Sequence, residues 1–487
     1  MATVTERESK YDVPPEFQLP DLARAGAVAR VGPPAVHKLD ATYLDTADLR
    51  LARHRVTVRR RSGGTDAGWH VKLPGTAGAR EEHRAPPDGR NLPADLDLLV
   101  RALRRGAPLR AVARIRTTRR EHPLRAADGR VLALLAQDEV DARVPDAAPR
   151  HWREVEVELV DGDRSVLADV DRVLRHAGAR PAGSASKLAR ALADRLPDPP
   201  ATAGNRAVDA VVGYARAQRD AILANDPAVR RGEPEAVHDM RVAVRRLRST
   251  LRTYRPLWNA DRVGPVRDEL RWLGQQLGAV RDGEVMLARL TEAVRAEPAD
   301  LVRGPVAARI GEWLAADIAR DRRRLLDALD ARRYLALLDA LDELLDAAPA
   351  PAARRTLIAR ARKALRRADG DLDAARTDPQ LHESRKEYKR ARYAAEALTS
   401  VAGKPAARLA KRLTTLQDVL GSHQDATVTR DLLLDYGQRA QAVGDDAFTY
   451  GLLHARQREA GERVLRDLPA ARRKARRRKL RRWLRRG

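Results

Sequence analysis

Two rhythms of apolar and polar positions divide this chain. Through residues 1–196 the two kinds alternate in short runs such as HRVTVRRR, GWHVKLPG, RVLALLAQDEV and HWREVEVELVDG, punctuated by Gly, Pro and Asp. Alternation with period two places successive side chains on opposite faces, so these runs predict β-strands with tight connections, and SVLADVDRVLRHAG predicts a helix among them. LPDPPATAGN, at 196–205, has the composition of a linker. From 206 to about 470 the apolar spacing becomes three and four, the helical rhythm, broken near the middle by DAAPAPAA at 346–353. The expected organisation is a β domain over 1–196, a linker at 197–205, a helical domain over 206–469 and a basic tail over 470–487.

The helical half repeats itself. HDMRVAVRRLRSTLR, from His238, matches HESRKEYKRARYAAE, from His382, so that His238, Arg241, Arg245, Arg246 and Arg248 fall on His382, Arg385, Lys389, Arg390 and Arg392. LGQQLGAVRDGEV, from Leu273, matches LQDVLGSHQDATV, from Leu416, with Gly278 on Gly421 and Asp282 on Asp425. Two matches in the same order predict a duplicated unit, about 206–346 and 354–469, folded as two similar helical bundles facing each other. In the first repeat His238, Arg241, Arg245 and Arg248 share one helical face, one residue out of phase with the apolar row Val237, Met240, Val244, Leu247 and Leu251. The basic stripe therefore borders the buried seam. Like charges so placed repel, and an anion held between the two stripes would relieve them.

Composition narrows the partner. The 487 residues carry 94 Lys and Arg against 68 Asp and Glu, a formal net charge of +26 that attracts polyanions. Aromatic residues make up 3%, few for the base-stacking platforms usual in single-strand readers, so a base-free polyanion fits better than nucleic acid. There is no cysteine, which excludes thiolate metal sites and Cys nucleophiles; any metal must be held by carboxylate, imidazole or water. MATVTERESKYDV lacks a signal-peptide pattern and no stretch reaches the ~18 apolar residues of a membrane span, so the expectation is a cytoplasmic protein with no membrane partner. The last 18 residues, from Ala470, hold eleven Lys or Arg and no acid, and read as a basic arm.

The strands of the first domain carry charge on one face. Glu154, Glu156 and Glu158 alternate with Val155, Val157 and Leu159; Arg55, Arg59 and Arg61 alternate with Val56 and Val58; His70 and Lys72 stand against Trp69, Val71 and Leu73; Glu6, Glu8 and Lys10 share a face at the start. A half-solvated sheet accounts for any one of them. A closed barrel with an ionic interior accounts for all, with carboxylates for a divalent cation and Arg and Lys for phosphate oxygens.

These motifs carry two resemblances. The duplicated HxxRxxx(R/K)RxR helix with its later LGxxxD segment resembles the conserved-histidine α-helical (CHAD) domain, whose members are implicated in binding inorganic polyphosphate. That resemblance implies polyphosphate contacts from His238, Arg241, Arg245, Arg246, Arg248, His382, Arg385, Lys389, Arg390 and Arg392; Gln424, where the first repeat has Arg281, departs from symmetry. ERESK at 6–10, followed in order by YLDTADLRL, VTVRRR, GWHVKLPG, REEHR, DEVDAR, REVEVEL and SASKLARAL, resembles the CYTH, or triphosphate tunnel metalloenzyme, superfamily. It implies an eight-stranded antiparallel tunnel in which Glu6, Glu8, Glu154, Glu156 and Glu158 bind Mg²⁺ or Mn²⁺ and, with Lys10, form the catalytic set. Lys10, Arg59, Arg61, Lys72, Arg116, Arg120 and Lys187 would hold phosphates, and Glu82 and Asp138 would complete the wall.

The expected fold is thus α+β in two domains, a β tunnel barrel followed by an all-α duplicated bundle. The expected function is metal-dependent hydrolysis of tripolyphosphate, with polyphosphate bound by the helical domain. Two other readings stay open: a non-catalytic protein that captures polyphosphate and targets its granules, and non-specific nucleic-acid binding.

Overall fold

A computed structural model describes residues 2–75, 79–89, 91–196 and 202–485. Residues 197–201 of the expected linker lie outside the described residues. The chain divides into two compact units, 1–199 and 200–487.

The first unit is built on one antiparallel sheet. Its strands are β1 (Ala2–Glu6), β2 (Glu8–Val13), β3 (Arg30–Val31), β4 (Ala35–Asp45), β5 (Thr57–Ser62), β6 (Gly68–Pro74), β7 (Arg80–Ala85), β8 (Arg110–Arg125), β9 (Val131–Arg143), β10 (Arg150–Leu159) and β11 (Arg180–Pro181). They run in the order β1-β7-β6-β5-β4-β8-β9-β10-β2-β11, with β3 on β8. β1 and β2 are halves of one extended segment parted at Arg7, and they pair with opposite ends of the sheet, β7 and β10. The sheet therefore curls until its ends meet in that segment. With β1 and β2 taken together, eight long strands make the wall.

Alternation sorts the wall's side chains. Tyr11, Ala133, Leu135, Val155 and Val157 pack beneath α3 (Arg164–His176), which contributes Val166, Val170 and Leu174. Two further helices, α1 (Arg50–Arg53) and α2 (Ala94–Arg104), lie between strands. The YLDTADLRL motif has a structural role: the fully buried Asp45 carboxylate accepts from the amides of Thr46, Leu51 and Ala52 and so fixes α1. A short helix, α4 (Lys187–Ala191), packs Leu188, Ala191 and nearby Leu192 against Ala41, Tyr43, Ile115, Val140 and Ala142. These strand residues point inward, so α4 plugs one end of the barrel and delivers Lys187 to its interior.

The second unit is helical: α5 (Arg206–Arg231), α6 (Ala236–Thr253), α7 (Ala260–Arg295), α8 (Val306–Asp330), α9 (Arg332–Asp346), α10 (Arg354–Ala374), α11 (Asp378–Ala397), α12 (Thr399–Ala402), α13 (Lys404–Ala442), α14 (Phe448–Leu465), α15 (Leu468–Ala475) and α16 (Arg478–Arg481). α9 ends and α10 begins at the two margins of DAAPAPAA. The two HxxR helices, α6 and α11, pack against each other, each backed by the long helix that carries its repeat's LGxxxD segment. Among the described residues, no helix is long and apolar enough to cross a membrane.

The C-terminal segment is not a solvated arm. Ala471, Ala475 and Leu484 are buried, Arg472 and Arg476 reach Asp373, and Arg476 and Arg481 close on Asp369 of α10. Apolar positions spaced along a basic sequence, together with two carboxylates one helical turn apart on α10, hold it down.

Candidate functional site

Inside the barrel the charged faces of the strands converge. Glu6 of β1, Glu8 and Lys10 of β2, Arg59 and Arg61 of β5, Lys72 of β6, Glu82 of β7, Arg119 of β8, Glu156 and Glu158 of β10, and Lys187 line a tunnel with about 100 Å³ of free volume. Two ionic groups organise it. In one, the Lys187 ammonium sits among Asp138, Glu154 and Glu156 at 2.8, 2.6 and 2.9 Å, while Arg119 spans Asp138 and Glu156 and Lys10 reaches Glu156 at 2.5 Å. Burial alone would raise Glu156 and lower Lys187; the opposite charges prevail, holding Glu156 well below and Lys187 well above their ordinary ranges. In the other, Glu82, fully buried, is held by Arg59 at 3.2 Å, His70 at 3.0 Å, Lys72 at 3.4 Å and Arg84.

Glu158 stands apart. Among the described residues it has no hydrogen bond or ion pair, and burial together with Glu6, Glu8 and Glu156 pushes its carboxyl up to about 7. Burial also raises Glu6, which Lys72 meets at 2.6 Å. Lys10 meets Glu8 at 3.1 Å, so of these three gathered carboxylates only Glu158 lacks a cation, and together they are a donor set that suits a hard divalent cation. Glu154 does not belong to it. Its carboxylate accepts from Trp152 Nε1 at 2.6 Å and holds Lys187, so it buttresses the wall instead of facing the free space. Asp138, Glu154 and Glu156 do bring carboxylate oxygens close together, but Lys187 already fills the position between them.

The tunnel corrects the expectation for β8. Ile115, Thr117 and Arg119 point inward, so Arg116 and Arg120 point out; Arg116 pairs with Asp40 at 3.2 Å and Arg120 with Glu139 at 3.2 Å on the exterior. Arg119 takes the inward place. Arg55, expected on the face of Arg59 and Arg61, precedes β5 with φ 59° and does not line the tunnel. Tyr43 is an unforeseen aromatic in the lining, though its hydroxyl is taken by Arg59 at 3.3 Å.

In the second unit the repeats form a groove of about 710 Å³, lined by eleven Lys and Arg against three carboxylates, Asp282, Glu383 and Glu387. Arg241, Arg245 and Arg248 of α6 face His382, Arg385, Lys389 and Arg390 of α11; Arg245 Nε and Arg392 both donate to the Tyr393 hydroxyl in its wall. The glycines of LGxxxD explain their motif. A Cβ at Gly421 would lie 3.1 Å from the Arg385 guanidinium and one at Gly278 3.4 Å from that of Arg241, so each glycine makes room for the arginine of its repeat.

Duplication does not make the halves equivalent. Asp282 holds Arg241 at 2.6 Å, but its counterpart Asp425 is taken by Arg289 at 2.8 Å, and among the described residues the buried Arg385 Nε has no hydrogen-bond partner. His382 lines the groove with its Nδ1 likewise unpartnered, whereas His238 is not among the lining residues. Arg246 and Arg392 also lie off the groove, at 3.4 and 3.5 Å from Glu396, which the Tyr214 hydroxyl meets at 2.7 Å. Arg281, the residue that Gln424 fails to match, pairs with Glu235 outside the lining, so that asymmetry leaves the groove untouched. Arg252, Arg267 and Arg271 join from α6 and α7, and Arg367 from α10, where a lone charge on a helix gives no sign of which way it faces. Burial and the surrounding guanidiniums lower Lys389 to about 7, and burial lowers Arg248 and Arg385 as well.

Comparison with known proteins agrees with both halves. The CYTH domain model matches residues 5–192 and the CHAD domain model 213–434. Two uncharacterized proteins of Mycobacterium tuberculosis, Rv2226 and MT2285, are each 38% identical over 96% of this chain and 96% of their own. Among solved structures, PptA from Streptomyces chartreusis is 24% identical, covering 54% of this chain and 98% of its own, with a TM-score of 0.48. The CHAD domain from the plant Ricinus communis is 27% identical over 55% of this chain and 91% of its own, with a TM-score of 0.42. CYTH members are metal-dependent triphosphatases or cyclases, which makes phosphoryl chemistry the general setting of the tunnel. The chain belongs to the family of proteins in which a CYTH domain is followed by a CHAD domain.

Proposed function

We propose that the tunnel hydrolyses tripolyphosphate and that the groove binds inorganic polyphosphate, associating the protein with polyphosphate granules. The observation that carries the reading is the unpartnered Glu158 beside Glu6 and Glu8, opposite the rows of Lys and Arg. Glu6, Glu8 and Glu158 would hold Mg²⁺ or Mn²⁺. Such an ion neutralises phosphate oxygens and makes a coordinated water more acidic. Lys10, Arg59, Arg61, Lys72, Arg119 and Lys187 exchange their carboxylate partners for phosphate oxygens and keep the chain extended through the tunnel. A carboxylate-oriented water attacks the terminal phosphorus in line; its oxygen forms the new P–O bond as the bridging bond breaks, giving phosphate and pyrophosphate. No covalent nucleophile is required. The small free volume and the tied Tyr43 hydroxyl leave little to recognise a base, which favours an inorganic substrate.

The test is phosphate release from tripolyphosphate with Mg²⁺ or Mn²⁺. Wild type should release phosphate, and Glu6→Ala or Glu8→Ala should not; equal release by all three defeats the tunnel assignment. For the groove, Arg245→Gln combined with Lys389→Gln should lose polyphosphate retention, and polyphosphate should displace RNA from wild type at much the lower concentration.

A further inference from the structure

Where the C-terminal segment crosses α10 it closes a second basic pocket of about 300 Å³, with Arg362 and Arg366 from α10 and Arg481 and Arg485 from the segment set around Leu365 and Leu484. Among the described residues, no carboxylate lines it. Arg481 is paired with Asp369, but among the described residues the side chains of Arg362, Arg366 and Arg485 have neither hydrogen bond nor ion pair, and Arg362 Nε is buried without a partner. Arg362 is half-buried and Arg366 and Arg485 are exposed; gathered in one pocket, these guanidiniums repel one another and attract an anion.

We propose that this pocket is a second phosphate-chain site, which takes the part of a long polyphosphate that extends beyond the groove. The inference rests on the polyphosphate reading of the groove. Its connection is α10: Arg367 lines the groove and Arg366, the next residue around the helix, lines the pocket. Neighbouring residues on a helix point about 100° apart, so this one ridge presents a guanidinium to each side. The anchors Arg476 and Arg481 are already paired to Asp373 and Asp369, so the segment is in position before any ligand arrives and binding need not order it. Among the described residues, the lining offers leucines and guanidiniums but no aromatic ring on which a base could stack, which favours a phosphate chain over RNA.

The experiment measures affinity for a long-chain polyphosphate and for a short chain that the groove spans alone. Arg362→Gln, Arg366→Gln and Arg485→Gln are combined, leaving the anchors intact. Long-chain affinity should fall at least about tenfold and the slope of its salt dependence should shrink by about 2, near 0.7 for each lost contact, while short-chain affinity stays within about twofold. An equal change at both lengths, or none at either, overturns the pocket. So does displacement of long polyphosphate by poly(U) at matching concentrations, which would make the pocket a nucleic-acid site. If the triple variant loses helical content, Arg366→Gln at its exposed position carries the same comparison. The groove variant separates the two claims: loss of both lengths there with a length-blind pocket variant ends the pocket alone, whereas a wild type that binds neither length ends the underlying reading.

Discussion

Lys389 is surrounded by Arg241, Arg245, Arg385 and Arg392, and burial with these four guanidiniums brings its ammonium from 10.5 down to about 7. A phosphate chain in the groove supplies the missing counter-charge and restores the ammonium towards its ordinary range, so binding takes up a proton wherever the free protein has lost it. Between about pH 6 and 8 the charged fraction of free Lys389 falls roughly tenfold, and polyphosphate affinity falls with it by about tenfold. Stability has the opposite sign. Above about pH 7 the unfolded chain keeps a proton that the folded one lacks, so this lysine makes folding more favourable as pH rises from there towards 10.5, by at most about 1.4 kcal/mol per unit. Burial and nearby Lys386 also lower His382 from its ordinary range. Calorimetric titration with polyphosphate in two buffers of different ionisation enthalpy measures the proton uptake at each pH. Lys389→Gln should bind with a nearly flat profile, and equal pH slopes in that variant and wild type would refute the reasoning.

At the metal end, Glu158 is raised, so in the free protein it is largely neutral below about pH 7. Thermal stabilisation by Mg²⁺ or Mn²⁺ should therefore be larger at about pH 8 than at about pH 5, and much reduced in Glu158→Gln; an undiminished gain in the variant removes Glu158 from the donor set. Gly421→Ala puts a methyl group 3.1 Å from the Arg385 guanidinium, and the displacement of that arginine should weaken polyphosphate binding about 2–10-fold without changing helical content by circular dichroism. Lys187→Met leaves Asp138, Glu154 and Glu156 facing one another in a buried place. Urea denaturation should show a loss of about 3–5 kcal/mol, and a loss below about 1 kcal/mol would mean the ammonium is not what balances them.

What the sequence made legible follows from what each pattern constrains. β10 and the ERESK segment keep a strict period of two, in β10 with Val155 and Val157 on the opposite face, and the structure puts their carboxylates inside. β8 offers no such guide. Its stretch RIRTTRR carries arginine in both phases, and in an ionic barrel the apolar face is the outer one, so Ile115 in phase with Arg119 argued against the side it occupies. In the helical unit the period fixes which residues share a face of α6, but the surroundings of His238 and His382 differ although the residues match. The docking of the C-terminal segment depends on Asp369 and Asp373, about a hundred positions away, a relation that no local pattern expresses.

The tunnel and the groove differ in how their charge is balanced. In the tunnel eight cations of the lining meet six carboxylates, and Asp138 and Glu154 behind Lys187 bring the acids to eight as well. On the proposed reading, a triphosphate entering that space would break ion pairs already formed, and a divalent cation would offset the charge it brings. The groove has the reverse condition, eleven cations with three acids, so a bound anion would relieve its repulsion. On the proposed reading, metal dependence is expected of the tunnel and salt dependence of the groove, because in one the protein has supplied the counter-charge in advance and in the other it would be left to the ligand.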